Sequence, residues 1–349
     1  MDHVLVAPVK ARPGDRIAVL SPSFAAPGMF PEVHEQAMRR LADVTGLVPV
    51  EYPTTRLVGA SPRARARDVN AALADPGIRA ILAAIGGEDQ IQVVQHLDPE
   101  VAQNDPKPFL GMSDNTNLHH WLWRHGIASF YGGSSQVHLG PGPAVDDVHA
   151  RSLRAALLTG GRLEVTDPGE SEDVGVDWGD PRALTEYGAR ESTGPWEWFG
   201  PPRAVTGRSW GGCLEVVEWV LAAGRFPYDA SVLDGAVLIL ETSEELLPAR
   251  HVGWMMRVLG ERGILSAADA VLVARPPVSD RDRRPSAGDR ARLRAEQRDV
   301  VVDVVGQYNP EAVLCVGVPF GHTRPQWVLP HGGEMTVDGD TRRVFADYG

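Results

Sequence analysis

Serine, histidine and glutamate can together transfer an acyl group, and this chain of 349 residues places one of each in a setting that suits the role. Ser113 lies in Pro108-Phe109-Leu110-Gly111-Met112-Ser113-Asp114-Asn115-Thr116, where a short apolar run meets a glycine and then a small polar cluster. Leu118, Trp121, Leu122 and His125 follow at the spacing of a helix with one buried face. The stretch therefore predicts strand, sharp turn and helix, with Ser113 at the turn. There it would sit beside unpaired helix N–H groups that can hold a developing oxyanion. The same residues also fit a plain helix N-cap, and both readings stand at this level. His322 follows the strand Val313–Val316 in a loop bounded by glycine and proline, and is the best placed base; simple surface exposure is its alternative. Glu241 ends the apolar strand Val237–Leu240, which suits an orienting acid, or a solvated strand end beside Glu244 and Glu245. Cys213 follows Gly211-Gly212 at another helix start and competes as a thiolate nucleophile, or is a small buried hydrophobe.

The elements that must carry these residues alternate. Strands are expected at Arg16–Leu20, Val48–Tyr52, Ala80–Ile85 and Ala128–Tyr131, with helices from Pro31 to Gly46, Ser61 to Ala74, and near Gln90–Leu97. Such alternation indicates an open parallel sheet with its site at the C-terminal strand ends. Gly86-Gly87 ends one of these strands, where backbone can approach a ligand, although the G-x-G-x-x-G spacing of a dinucleotide site is missing. Ala144–Leu158 reads as a connecting helix. Glu164–Pro202 is acidic, rich in glycine and proline, and carries Trp178, Trp196, Trp198 and Phe199, as a functional loop would. Trp178 and Trp196 are the rings assigned to a planar substrate group, although the period-2 spacing of Trp196 and Trp198 also suits a strand. Further on come a helix after Cys213, a helix at Pro248–Leu259, a strand at Ala270–Ala274, a helix at Asp289–Val305, and a terminal hairpin turning at Asp338-Gly339.

Hydrophobic residues make up 43% and charged ones 23%, a soluble globular balance, and 349 residues suffice for two domains. A formal charge of −12 argues against nucleic acid or an anionic membrane as partner. The arginines at 281, 283, 284, 290, 292 and 294 are interrupted by acids and read as a solvated face. Two cysteines give no disulfide framework, and Met1–Leu5 shows no basic region ahead of a long apolar core, so the cytoplasm is expected. No H-E-x-x-H or C-x-x-C pattern occurs, and His119-His120 have the wrong spacing for two ligands on one helix face, so no metal or cofactor is expected.

GMSDNTNL resembles the G-x-S-D-x-T nucleophile segment of the serine LD-carboxypeptidases and their microcin-immunity relatives. AAIGGEDQ, LILETSEE and PFGHT resemble three further segments of that family, in the family's order, so the likeness spans nearly the whole chain. It implies Ser113 as nucleophile, Glu241 as orienting acid and His322 as base, with an oxyanion hole from the N–H groups of Gly87 and Asp114 and substrate contact at Gly86. It departs from the family at Cys213, where an asparagine is usual. The Trp-bearing insertion is similar to the loop with which the microcin-immunity branch grips a nucleotide-like group.

The expected architecture is α/β: an N-terminal open parallel-sheet domain over 1–140, a connecting helix and specificity loop over 141–205, and a mixed α/β domain over 206–349, with the active site between the domains. The expected activity is amide hydrolysis in a peptidyl- or aminoacyl-nucleotide by a serine hydrolase, with a homodimer as a possible assembly. A murein tetrapeptide is the alternative substrate, and a non-catalytic ligand-binding module the alternative of another class.

Overall fold

The computed structural model describes residues 5–225 and 230–349; Met1–Val4, read above for a leader, lie outside them. Five short strands build the first sheet: β1 (Arg16–Leu20), β2 (Val48–Glu51), β3 (Ile78–Ala83), β4 (Phe109–Gly111) and β5 (Ser129–Tyr131). They pair in parallel in the order β2-β1-β3-β4-β5. Apart from the edge strand β2, whose Val48 is exposed, their apolar runs are buried because helices cover both faces, as parallel sheets require. The helix Pro31–Thr45 starts with proline at its first turn and ends at Gly46, and Ser61 caps Pro62–Ala74 by accepting from the Ala64 N–H.

The second sheet draws on β6 (Arg162–Val165), β9 (Glu197–Phe199), β10 (Ala204–Cys213), β11 (Ala236–Glu241), β12 (Ala268–Ala274), β13 (Val313–Val318), β15 (Glu334–Asp338) and β16 (Arg343–Asp347), while β7 (Glu170–Ser171) and β8 (Glu191–Ser192) form a small ribbon. Strands β10 to β13 are parallel, and antiparallel strands flank them: β15, β16 and β6 on one side, β9 on the other. One strand of the late chain, β14 (Leu329–His331), leaves this sheet and pairs antiparallel with β5 of the first. One apolar cluster runs through both sheets, joining Val19, Leu82 and Leu110 to Ile239, Leu272 and Val318. The architecture is the expected mixed α/β fold with parallel-sheet regions in two domains.

Three local expectations change. Gln90–Leu97 forms two tight turns, Gln90–Gln92 and Val94–His96, because Gln90 is hydrogen-bonded sideways to the Ser113 segment. The helix Thr116–Arg124 buries more than one face: Leu118 and Leu122 join one cluster and Trp123 another, while His125 stays partly exposed against Trp121. The last turn is wider than two residues, because the Asp338 carboxylate accepts from the N–H groups of Asp340 and Thr341 before β16 begins. No helix among the described residues is long and apolar enough to cross a membrane.

Candidate active site

Strand β4 stops at Gly111, Met112 is extended, and Ser113 turns at φ 62°, a left-handed conformation that a serine rarely adopts. The strain is held by what surrounds it. A side chain on Gly86 would bring its Cβ to 2.7 Å from the Ser113 Cβ, so the Gly-Gly turn can lie against the serine only because it has none. Gln90 links the two segments: its N–H donates to Asp114 Oδ2 (2.9 Å), its Nε2 to Asn115 Oδ1 (2.8 Å), and its Oε1 accepts from the Leu118 N–H (3.0 Å). Arg65, buried, fixes the far side of the turn with a bidentate pair to Asp89 and a bond to the Ser23 carbonyl. The Ser113 hydroxyl makes no hydrogen bond to any described residue, and no side-chain cap bond is formed at this helix start, so the N-cap reading has no support. The exposed Gly87 N–H likewise has no partner among the described residues.

From Ser113 a chain of hydrogen bonds leads to the other two residues. The Ser113 N–H donates to the Tyr131 hydroxyl (3.1 Å), which donates to Glu241 Oε1 (2.5 Å). Glu241 Oε2 accepts from His322 Nδ1 at 2.6 Å. Burial, with Glu241 alongside, pushes the Tyr131 phenol well above its usual range and keeps it a donor. Glu241 is buried at the end of β11, and Gly321 lies so close against it that the loop carrying His322 is pressed onto the carboxylate. The second nitrogen of His322, Nε2, meets Glu244 Oε2 at 3.0 Å. Burial opposes a charge on His322, yet the two carboxylates outweigh it and raise its pKa well above the ordinary value. His322 in turn draws Glu244 down to about 2.

Cys213 does not compete as a thiolate. Burial and the nearby carboxylates of Glu241 and Glu215 push its thiol up, and its Sγ donates to Glu215 Oε2 at 3.2 Å. Histidines 119 and 120 serve the backbone: His119 Nε2 donates to the Gly111 carbonyl (2.9 Å) and His120 Nε2 to the Gly211 carbonyl (2.8 Å). Burial lowers them to about 3 and about 4, so both are neutral. No cluster of three or more His, Cys, Asp or Glu suited to a metal ion occurs among the described residues.

The insertion is fastened from both sides. The backbone of Glu172 pairs with that of Arg324, two residues beyond His322, and Asp146 binds both Arg324 (2.7 Å) and Arg190 (2.7 Å). On the other side Arg294 holds Asp173 (2.8 Å), and Arg275, Arg290 and Arg294 converge on Glu191. Two members of the arginine run expected to face solvent, Arg290 and Arg294, therefore pin this loop. Trp178 is half-buried and meets Phe30 edge-on, with ring centroids 5.5 Å apart. Trp196 and Trp198 pack against the core, Trp198 within β9 opposite Cys315, as their spacing suggests.

Tyr131, Gln90 and Glu244 are site residues that the sequence reading did not single out. Tyr131 ends an ordinary apolar strand, and Gln90 and Glu244 sit in polar runs, so only the position beside a Gly-Gly turn or a strand end could have marked them.

The domain model described as the LD-carboxypeptidase N-terminal domain matches residues 17–132, and that of the C-terminal domain matches residues 206–337. A Treponema pallidum protein, named as a candidate carboxypeptidase, is 33% identical over 341 residues, covering 95% of this chain and 92% of its own. The microcin C7 self-immunity protein MccF of Escherichia coli is 23% identical over 284 residues, covering 80% and 77%. Among solved structures, MccF in complex with glutamyl sulfamoyl guanosine superposes with a TM-score of 0.83 at 20% identity, covering 98% of each chain. An MccF-like protein from Streptococcus pneumoniae in complex with AMP gives 0.81 at 23%, covering 96% and 99%. The chain belongs to the LD-carboxypeptidase family of peptidases, and its fold is that of MccF.

Proposed function

We propose that this protein is a serine hydrolase that cleaves the amide of a peptidyl- or aminoacyl-nucleotide. The observation that carries the reading is the hydrogen-bonded path from Ser113 through Tyr131 and Glu241 to His322. Ser113 Oγ attacks the amide carbonyl and passes its proton to His322 Nε2, while Glu241 holds Nδ1 and offsets the imidazolium charge. The N–H groups of Gly87 and Asp114 receive the oxyanion, beside Gly86. Collapse of the tetrahedral intermediate sends the His322 proton to the leaving nitrogen, and water then hydrolyses the acyl-serine. Trp178, on a loop fastened beside the His322 loop, offers a ring for a nucleobase, with Trp196 deeper in the same insertion. The ligands in the complexes of MccF and its relative, aminoacyl sulfamoyl nucleosides and AMP, support a nucleotide-bearing substrate. Two buried free cysteines suit the cytoplasm as the place of action.

The family's carboxypeptidase name favours a second substrate, a murein tetrapeptide cut at its terminal D-residue. Pure protein incubated with a peptidyl-adenylate analogue and with the tetrapeptide, followed by mass, separates the two. The nucleotide substrate should be cleaved, and Trp178→Ala should raise its KM by about 5- to 150-fold, the range for losing one stacked base. A base-free acyl peptide should be unaffected. Cleavage of the murein peptide alone would overturn the nucleotide reading.

A further inference from the structure

Glu241 fixes the ring of His322 through one nitrogen, and the loop that carries the ring has to be placed by something else. Four residues further on, Gln326 is fully buried, a costly position for a primary amide unless its polar atoms are all used. They are. Gln326 Oε1 accepts from the Gly133 N–H at 2.9 Å, while Nε2 donates to the Gly321 carbonyl at 2.5 Å and to Met112 Sδ at 3.0 Å. The partners allow the amide one orientation, because a backbone N–H only donates and a carbonyl only accepts.

Those three partners stand at three strand ends, each next to a residue of the candidate site. Met112 follows β4 and precedes Ser113, Gly133 lies two residues beyond Tyr131 at the end of β5, and Gly321 follows β13 and precedes His322. Strands β4 and β5 belong to the first sheet and β13 to the second, so one side chain spans both. Gly321 is gripped on two sides: a Cβ there would come to 2.8 Å from Glu241, and its carbonyl is held by the amide. Gln326 is itself fixed, since its own carbonyl accepts from His149 Nδ1 at 3.0 Å and the Trp327 N–H donates to the Pro319 carbonyl at 2.8 Å. Burial lowers His149 to about 4, which keeps that ring neutral.

We propose that Gln326 is a positioning residue that sets where His322 stands relative to Ser113. The path from Ser113 through Tyr131 and Glu241 to His322 is open at its ends, and an open path can hinge. Gln326 closes it, because Met112 is bonded covalently to Ser113 and Gly321 to His322. A closed ring of short, buried, neutral contacts has one geometry. The inference rests on the hydrolase reading above and adds to it a residue that works through His322 without touching substrate.

Gln326→Met keeps the volume and gives up the bonds to Gly133 and Gly321. With the peptidyl-adenylate analogue or the murein tetrapeptide, whichever the wild type cleaves, kcat should fall by about 10- to 100-fold, on the scale that about 1 Å of misplacement costs. KM should stay within about twofold, because no contact to the substrate is lost. The low-field proton resonance of His322 Nδ1–H should broaden or move in the same variant. Asn309→Leu is the control: Asn309 also donates to two carbonyls, those of Leu265 and Ala268, but at the end of the helix Ala287–Tyr308. It should lower Tm and leave kcat and the resonance as they are. If Gln326→Met fails to fold, Gln326→Asn decides by the same readings, since its amide is one methylene short of spanning both peptides. Wild-type kcat in the folded variant, an unchanged His322 resonance, or an equal fall of kcat in Asn309→Leu would each overturn the assignment and leave the hydrolase reading standing. A wild type that cleaves neither substrate overturns that reading and this inference with it.

Discussion

The Ser113 turn and the tryptophan-bearing insertion are both irregular backbone, yet they are held by opposite means. Around Ser113 the ties are short, buried and mostly uncharged: Gln90 to Asn115 and Leu118, Tyr131 to the serine N–H, His119 to the Gly111 carbonyl. Around the insertion they are ion pairs reaching about a hundred residues along the chain, such as Arg294 to Asp173 and Arg290 to Glu191, and several are partly exposed. Buried neutral networks impose one geometry and are hardly screened, whereas exposed charges hold more loosely and yield to salt. A serine strained at φ 62° and proposed as the nucleophile needs the first kind of support, and a loop proposed to receive a substrate can use the second.

Removing the proposed nucleophile tests the first half of this contrast most severely. Ser113→Ala should lower kcat by about four to six decades, while circular dichroism and Tm stay close to wild type, because the hydroxyl makes no bond to a described residue. Ser113→Gly should be as inactive but more stable than the alanine form by about 1 kcal/mol, since glycine accepts the left-handed turn without strain. If the alanine form turns over normally, the serine mechanism fails.

Tyr131→Phe removes the link between the serine N–H and Glu241 without adding volume. Deleting a buried hydrogen bond to a charged group, about 1.5–3 kcal/mol, corresponds to a fall in kcat of roughly 10- to 100-fold. The effect should be the same at low and high salt. A loss confined to Tm, with kcat intact, would make Tyr131 a packing residue only.

Arg294→Met tests the insertion and should have the smallest effect. KM should rise roughly fivefold with kcat held, and wild type in about 1 M salt should drift the same way, because the remaining pairs are screened within about 3 Å. Hydrogen exchange over residues 170–194 should quicken in parallel. A KM insensitive to salt would mean that the two regions are held alike.

The same contrast explains what could be read beforehand. The Ser113 turn is legible because its cause is local: an apolar run, a glycine, small polar residues and an apolar helical stripe stand within a dozen positions. Glu241 and His322 are legible as residue types at strand ends, and the structure joins them directly. Tyr131 is hidden because its aromatic ring also suits a buried strand, and nothing in its neighbourhood announces a hydroxyl aimed at residue 241. The fastening of the insertion is hidden for a plainer reason. Arg294 and Asp173 lie 121 positions apart, and either alone looks like a solvated charge. Trp178 likewise shows no core to join until Phe30 is brought beside it.

Strand β14 carries a consequence for how the protein is made. It adds Leu329–His331 to the edge of β5, opposite Ser129–Tyr131, so the sheet that bears Ser113 is completed by residues made about 200 positions after the strand they cover. Until they arrive, the β5 edge lacks its partner and Tyr131 lacks its final neighbour, while Glu241 and His322 have been translated but not yet seated against them. The first sheet therefore stays incomplete until residue 331 has been made. An open parallel edge at that stage is also where pairing with another chain would start, which makes growth temperature and expression rate the conditions to which its yield should respond.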